Sequence, residues 1–218
     1  VLGGLRYEQT DIRYEGYAIT KTSSGFFENL DTIKSSRTQA FWLPNIQFKY
    51  TVNDGLNVRG ALTYSYARPN FDEVIPFRET VENEELSYGN PNLVYPYATN
   101  IDILAEKYWG GLNLLSGGVF YKKIDNFIFN QQFFGYEGDP TESNFNRLLI
   151  EVPLNGLDAT VRGFELQSQV MLRFLPWKMK NIGVFANYTF TDSDARIQKR
   201  RSANDFTENI IFGGDYDV

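Results

Sequence analysis

From Leu56 to Ala67 the side chains take turns without a break. Leu56, Val58, Gly60, Leu62, Tyr64 and Tyr66 are apolar or glycine, while Asn57, Arg59, Ala61, Thr63, Ser65 and Ala67 are polar or small. Period two is the pattern of a β-strand whose two faces meet unlike surroundings. Just upstream, Trp42, Ile46, Phe48, Tyr50 and Val52 alternate with Asn45, Gln47, Lys49 and Thr51. Asn53-Asp54-Gly55 joins the two runs as a tight hairpin turn, with glycine supplying the positive φ.

The pattern recurs along the chain. Ile101, Ile103 and Ala105 alternate with Asn100, Asp102 and Glu106, and Leu104 interrupts the polar side. Gly110-Gly111 turns the chain into Leu112–Phe129, where the alternation blurs. Leu157, Ala159 and Val161 then alternate with Asp158, Thr160 and Arg162. The phase flips near Gly163, so that Phe164, Leu166, Val170 and Leu172 oppose Glu165, Gln167 and Gln169. A flip at glycine predicts a β-bulge. Ile182, Val184, Ala186, Tyr188 and Phe190 complete the series.

Connections alternate in length. Asn53–Gly55, Gly110–Gly111 and Leu175–Lys180 are short; Thr10–Gln39, Pro69–Pro96, Asn130–Asn155 and the tail after Asp192 are long and polar. Runs of roughly 9–11 residues suit tilted membrane-crossing strands, with short turns at one end and long loops at the other. The expected fold is therefore all-β, an antiparallel up-and-down transmembrane β-barrel segment of about seven or eight strands. Charge placement agrees. A cation facing lipid at mid-membrane costs roughly 2–4 kcal/mol; Lys49 and Arg59 fall on the polar phase, and Lys107, on the apolar phase, lies close enough to the Gly110-Gly111 turn to snorkel.

Composition bounds the function. Aromatic residues make up 16% of the 218 residues, with 14 Tyr and 18 Phe, an excess that two interfacial girdles would use. Mean hydropathy is −0.37, and no apolar run approaches a membrane-spanning helix, but a barrel strand hides its lipid face in alternate residues. The chain has no Cys and no His, so the common zinc, haem-ligating, thiol and Ser–His chemistries lack side chains. A net charge of −6 argues against nucleic acid as a partner. Val1–Tyr7 already reads as strand, not as a secretory leader, which suits a processed or internal piece.

Several short motifs resemble the barrel of TonB-dependent receptors. They are Gly4-Leu5-Arg6-Tyr7-Glu8; Tyr66-Ala67-Arg68-Pro69-Asn70-Phe71 followed by Pro76; Asn90-Pro91-Asn92-Leu93; Phe120-Tyr121-Lys122-Lys123-Ile124-Asp125-Asn126-Phe127-Ile128; Val161-Arg162-Gly163-Phe164-Glu165-Leu166; and Asn187-Tyr188-Thr189-Phe190. They stand in family order over most of the chain. The resemblance implies an outer-membrane receptor that binds a scarce nutrient (siderophore, cobalamin, oligosaccharide or peptide) and imports it with energy from TonB–ExbB–ExbD. It also implies a plug inside a barrel of about 22 strands. On that reading residues 1–218 are one partial barrel domain lacking the plug, the TonB box and the remaining strands. Gly213-Gly214-Asp215-Tyr216-Asp217-Val218 does not match the family's aromatic terminal strand. No cofactor and no catalysis are expected.

Candidate ligand contacts are the loop aromatics Tyr88, Tyr95, Phe133, Phe134 and Tyr136, which can stack on a sugar or an aromatic chelator. The carboxylates Asp72, Glu73, Glu79, Glu82, Glu84 and Glu85 read as a solvated loop, and Asp192-Ser193-Asp194 and Asp215-Tyr216-Asp217 lack the ligand run of a calcium loop, so no metal site is expected. Nothing fixes two of these carboxylates at a glycosidase separation. Lys199-Arg200-Arg201 reads as a solvated run or a contact to lipopolysaccharide phosphates. Arg68, Pro69, Asn90, Pro91, Gly163 and Glu165 are expected to be structural. Two other architectures fit the alternation: a soluble β-sandwich binding carbohydrate through exposed aromatics, and a small closed barrel of about eight strands.

Overall fold

The computed structural model describes residues 1–21, 27–75, 78–81, 85–137, 146–173, 175–176 and 181–197. Seven long strands form one antiparallel wall: β1 (Leu2–Lys21), β2 (Phe27–Asn53), β3 (Leu56–Tyr66), β6 (Tyr97–Trp109), β7 (Asn113–Asp125), β10 (Asp158–Met171) and β11 (Gly183–Arg196). Their spatial order is β11-β10-β7-β6-β3-β2-β1, an up-and-down meander. A short helix, α1 (Phe71–Val74), and two small hairpins, β4 (Arg78–Val81) with β5 (Glu85–Tyr88) and β8 (Ile128–Glu137) with β9 (Asn146–Asn155), belong to the long connections at one end.

The turns at the other end are those the glycines specify. Gly55 has φ +92°, and Gly110 and Gly111 have φ +56° and +84°, values that side-chain-bearing residues rarely adopt. The third turn lies largely outside the described residues, but its ends are tied by the Leu172 amide donating to the Ile182 carbonyl at 2.8 Å.

Four expectations need correction. Most of Thr10–Gln39 is not loop: β1 and β2 stay paired from Leu2↔Gln47 to Lys21↔Phe27, because strands that leave a membrane still satisfy each other's backbone groups. Asn130–Asn155 is likewise mostly the β8–β9 hairpin, and Pro69–Pro96 contains α1, β4 and β5. Gly163 is not a bulge. The β10 register runs unbroken past it on both sides, Phe120 and Thr191 facing it directly. What inverts there is the environment, as set out below.

The register sorts side chains onto two faces. One carries Tyr50–Val58–Ala105–Gly117–Leu166–Tyr188 in a row, and next to it Phe48–Gly60–Ile103–Val119–Phe164–Phe190. Large members of these rows are bare: Val119 is 55% exposed and Tyr50 65%. The opposite face carries Lys49–Arg59, Ala61–Asp102, Asn100–Lys122, Gly118–Glu165 and Gln167–Asn187. No second sheet covers the apolar face among the described residues, so the sandwich alternative does not describe this chain. Nor does the small closed barrel, since among the described residues β11 pairs with β10 and not with β1.

Candidate functional site

The apolar face ends in a slanted edge. On β10 and β11 it stops between the Phe164–Phe190 pair and the Arg162–Asp192 pair, where Arg162 Nη2 donates to Asp192 Oδ2 at 2.8 Å. Beyond lie Thr160–Asp194 and Asp158–Arg196, on the same side as the apolar residues below them. Val161 and Ala159 correspondingly take the other side, which explains the phase flip in the sequence.

On β2 the edge comes at Trp42, packed on Tyr7 at 4.8 Å between centroids. Phe164 shares a cross-strand row with Phe48, through Val119, Ile103 and Gly60. The edge therefore climbs from the level of Phe48 to Trp42 over the four steps from β10 to β2. Steps of about 4.8 Å against residues of about 3.4 Å give a slope of about 45°. Transmembrane barrel strands tilt by about 35–45°. From Trp42 to Val52 the exposed apolar run on β2, so tilted, is roughly 24 Å tall, against about 25 Å for the apolar belt of such barrels. Tyr7, Trp42 and Tyr121 mark the upper margin; Tyr50 and Trp109 lie toward the short turns. Lys107 reaches from the apolar face toward a turn, its Nζ 3.4 Å from Asn53 Oδ1.

The polar face forms an open groove of about 640 Å³, whose lining includes Thr63, Asn100, Asp102, Phe120, Lys122 and Glu165. Arg59 Nε donates to Glu106 Oε2 at 2.7 Å across two strands. Lys49 sits directly opposite Arg59. Neither arrangement holds a nucleophile–base pair; these side chains can hydrogen-bond a solute or a neighbouring polypeptide and hold water along a path.

Above the slanted edge the sheet returns on itself. β8 continues β7 and β9 continues β10 through a bend at Asn126 (φ +58°) and Gly156. β9 pairs with β5 in parallel at Glu85↔Leu149 to Ser87↔Glu151, and β4 touches β1 at Ala18↔Arg78. Most of the tightest packing in the described residues lies here: Val74, Leu93, Tyr95 and Val152 are buried apolar residues, and Leu43 of β2 is buried one residue from the edge at Trp42. Phe41 stacks on Tyr66 at 4.4 Å, with Tyr95 and Tyr97 beside it. Burial, with the neighbouring Tyr95, pushes the Tyr14 hydroxyl above its ordinary pKa.

Of the candidate ligand aromatics, Tyr95 lies within this stack at 5% exposure, its amide donating to Gln39 Oε1 at 3.1 Å. Tyr88 ends β5, and Phe133, Phe134 and Tyr136 lie on β8; their side chains fall outside the described residues. Arg68 Nη2 donates to the Tyr66 hydroxyl at 3.3 Å, Pro69 follows it out of β3, and that hydroxyl donates to Glu8. Asn90 and Pro91 are buried in the mouth. At Gly163 a Cβ would lie 2.0 Å from the Phe190 carbonyl oxygen and 2.6 Å from the Phe120 ring, so close packing keeps it glycine. Glu165 joins the polar groove. Among the acidic residues, Glu73 accepts from the Asn70 amide at 2.7 Å to cap α1. Glu82, Glu84, Lys199-Arg200-Arg201 and Asp215-Tyr216-Asp217 lie outside the described residues. Sequence reading missed the roles of Gln39 and Asn155, which close segments taken for loop, and of Asn126, which was read as part of a strand and instead forms the bend. Their roles depend on partners more than 25 positions away, which no local pattern announces.

Comparison with known proteins agrees with this geometry. The fold is similar to that of the Serratia marcescens hemophore receptor HasR, solved with its hemophore HasA and heme, at 17% identity and a TM-score of 0.57 over 88% of this chain and 31% of that one. It is similar to the siderophore receptor PirA of Pseudomonas aeruginosa, at 15% identity and TM-score 0.55 over 87% of this chain and 35% of that one. The PirA of Acinetobacter baumannii aligns at 14% identity and TM-score 0.51 over 78% of this chain and 25% of that one. The chain thus spans about a third or less of these structures' length. No curated protein sequence matches it. The family model described as TonB dependent receptor-like, beta-barrel, matches residues 1–216, and the chain belongs to that family.

Proposed function

We propose that residues 1–218 form a sector of the wall and mouth of an outer-membrane receptor that takes up a scarce small-molecule nutrient. The observation that carries this reading is the slanted apolar belt, whose height and slope are those of a barrel wall in a bilayer. The apolar face meets lipid, the polar face lines the inner path, and the β4–β5 and β8–β9 hairpins shape the mouth. Seven wall strands are a third of a barrel of about 22, and an open sheet edge in hydrocarbon costs several kcal/mol per unpaired group. The wall therefore closes with further strands of the same receptor. The energy for transport enters through TonB–ExbB–ExbD acting on a plug, so this sector performs no chemistry. The similarity to receptors for siderophores and for a haem carrier makes an iron chelate or haem the first ligands to test; cobalamin, oligosaccharides and peptides share the same wall.

The test is uptake by cells carrying the intact receptor. Labelled ferric siderophores and haem are offered with TonB present and with TonB deleted. Saturable uptake of one of them that disappears with TonB is the expected result. Uptake that is unchanged without TonB would contradict energised transport, and a receptor recovered from the soluble fraction would contradict the wall assignment itself.

A further inference from the structure

The family-like segment Asn90-Pro91-Asn92-Leu93 has no place in the wall, yet it is among the best-buried parts of the molecule. It runs between β2 and β9, which are not neighbours: β1, β4 and β5 separate them in the sheet. Both sides grip it through side chains. From β2, Gln39 Nε2 donates to the Leu93 carbonyl at 3.2 Å and Gln39 Oε1 accepts from the Tyr95 amide at 3.1 Å, while Arg37 donates to the Asn92 carbonyl. From β9, Asn155 Oδ1 accepts from the Val94 amide and its Nδ2 donates to the carbonyls of Val94 and Asn126, each at 2.8 Å. Asn90 Nδ2 donates to the Pro153 carbonyl at 3.0 Å, and its Oδ1 accepts from the Asn92 amide.

Burial makes the grip stiff. Leu93 is 2% exposed and Val152, on β9, 1%. Water cannot readily replace the buried bonds of Gln39 to Leu93 and Tyr95 and of Asn90 to Pro153, so opening would leave several polar groups unpaired at once. Among the described residues, and apart from this strap, the register route from β9 to the β1–β2 hairpin is three pairs with β5, the β4–β5 pairing and one pair between β4 and β1.

We infer that the Gly89–Tyr95 strap is a fixed brace, with Gln39 and Asn155 as its positioning residues. It holds the β8–β9 hairpin bent at Asn126 and Gly156 and clamped to β2. This part of the mouth is then a stationary shelf, and any closure over a ligand is made by other loops. The inference rests on the packing alone and not on the transported ligand, so its test reads no transport.

Hydrogen exchange is measured on the intact receptor in detergent, resolved to the amides of Asn92, Val94 and Tyr95. Among the described residues those amides bond to side chains of Asn90, Asn155 and Gln39 and not to backbone, yet they are expected to exchange at least about a hundredfold more slowly than unstructured amides. Exchange at free-loop rates overturns the brace. Spin labels at Arg13→Cys on β1 and Gln132→Cys on β8, both exposed, report the hairpin's position. One narrow distance is expected, broadening in Asn155→Leu while the amides of Ile103 and Val119 in the wall keep their protection. A narrow, unmoved distance in Asn155→Leu overturns the assignment of Asn155. If that variant does not assemble, Asn155→Asp keeps the acceptor for Val94 and loses both donations; it is expected to broaden the distance less, and no change overturns the same point.

Discussion

Arg162 and Asp192 face each other across β10 and β11, with Nη2 2.8 Å and Nε 3.0 Å from one carboxylate oxygen, and one pair further along the same face Phe164 stacks on Phe190 at 5.6 Å. Within two residues the outward side changes from aromatic to ionic. An ion pair is comfortable in water and costly in hydrocarbon, so this step marks where the wall leaves the bilayer.

Substitutions on the two sides of that step should differ sharply. Val119→Arg places a cation in the Phe48–Val119–Phe164 row and is expected to cost about 2–4 kcal/mol, whereas Thr160→Arg, on the same face beyond the edge, should cost about 1 kcal/mol or less. Equilibrium unfolding of the intact receptor from lipid vesicles measures both. Equal costs would show that the two positions share one environment.

Gly156 lies against an aromatic ring: a Cβ there would sit 2.3 Å from two atoms of Phe127. Gly156→Ala is expected to destabilise by about 1–3 kcal/mol through overpacking, and by less in a Phe127→Ala background. A double-mutant cycle in denaturant reads the coupling. Additive effects would mean that the ring is not what excludes the methyl group.

Asp158 is held below the usual carboxylate range, first by the hydrogen bond from Arg196 at 2.5 Å, with desolvation opposing and the charges of Arg196 and Lys123 adding to the lowering. A depressed folded-state pKa stabilises above the unfolded value, and that contribution is lost as pH falls through the folded one. Asp158→Asn should therefore be less stable than the unmodified receptor at neutral pH, and the difference should vanish below the ordinary carboxylate range. Denaturation midpoints against pH check it. A difference that persists in acid would assign the effect to shape rather than charge.

Much of the wall was legible because each strand in it meets two solvents, and alternation records that directly. Asn53-Asp54-Gly55 and Gly110-Gly111 were readable as turns because positive φ leaves few residue choices. Alternation misled at Gly163, where strand and register continue and only the surroundings exchange; a sequence pattern reports polarity, and a bulge and a membrane edge invert it alike. The extensions of β1 and β2 were taken for loop although a period is present: Asp11, Arg13 and Glu15 alternate with Ile12, Tyr14 and Gly16, the second set being the more buried, and the backbone remains paired throughout. The mouth was least legible. Asn155 looks like any loop asparagine until Val94 and Asn126 are beside it, and Tyr95, singled out for its aromatic ring, proves to be packed among Phe41 and Tyr66.

The most direct test of the account is which solvent touches each residue of β6 and β7. The chain contains no Cys, so single cysteines can be spin-labelled one at a time in the intact receptor in vesicles and probed with oxygen, which concentrates in lipid, and with a water-soluble nickel chelate. Oxygen should win at Ile101, Ile103, Val119 and Tyr121 and lose at Asn100, Asp102, Ser116 and Lys122, with period two. Both faces responding alike, or the phase reversed, would contradict it.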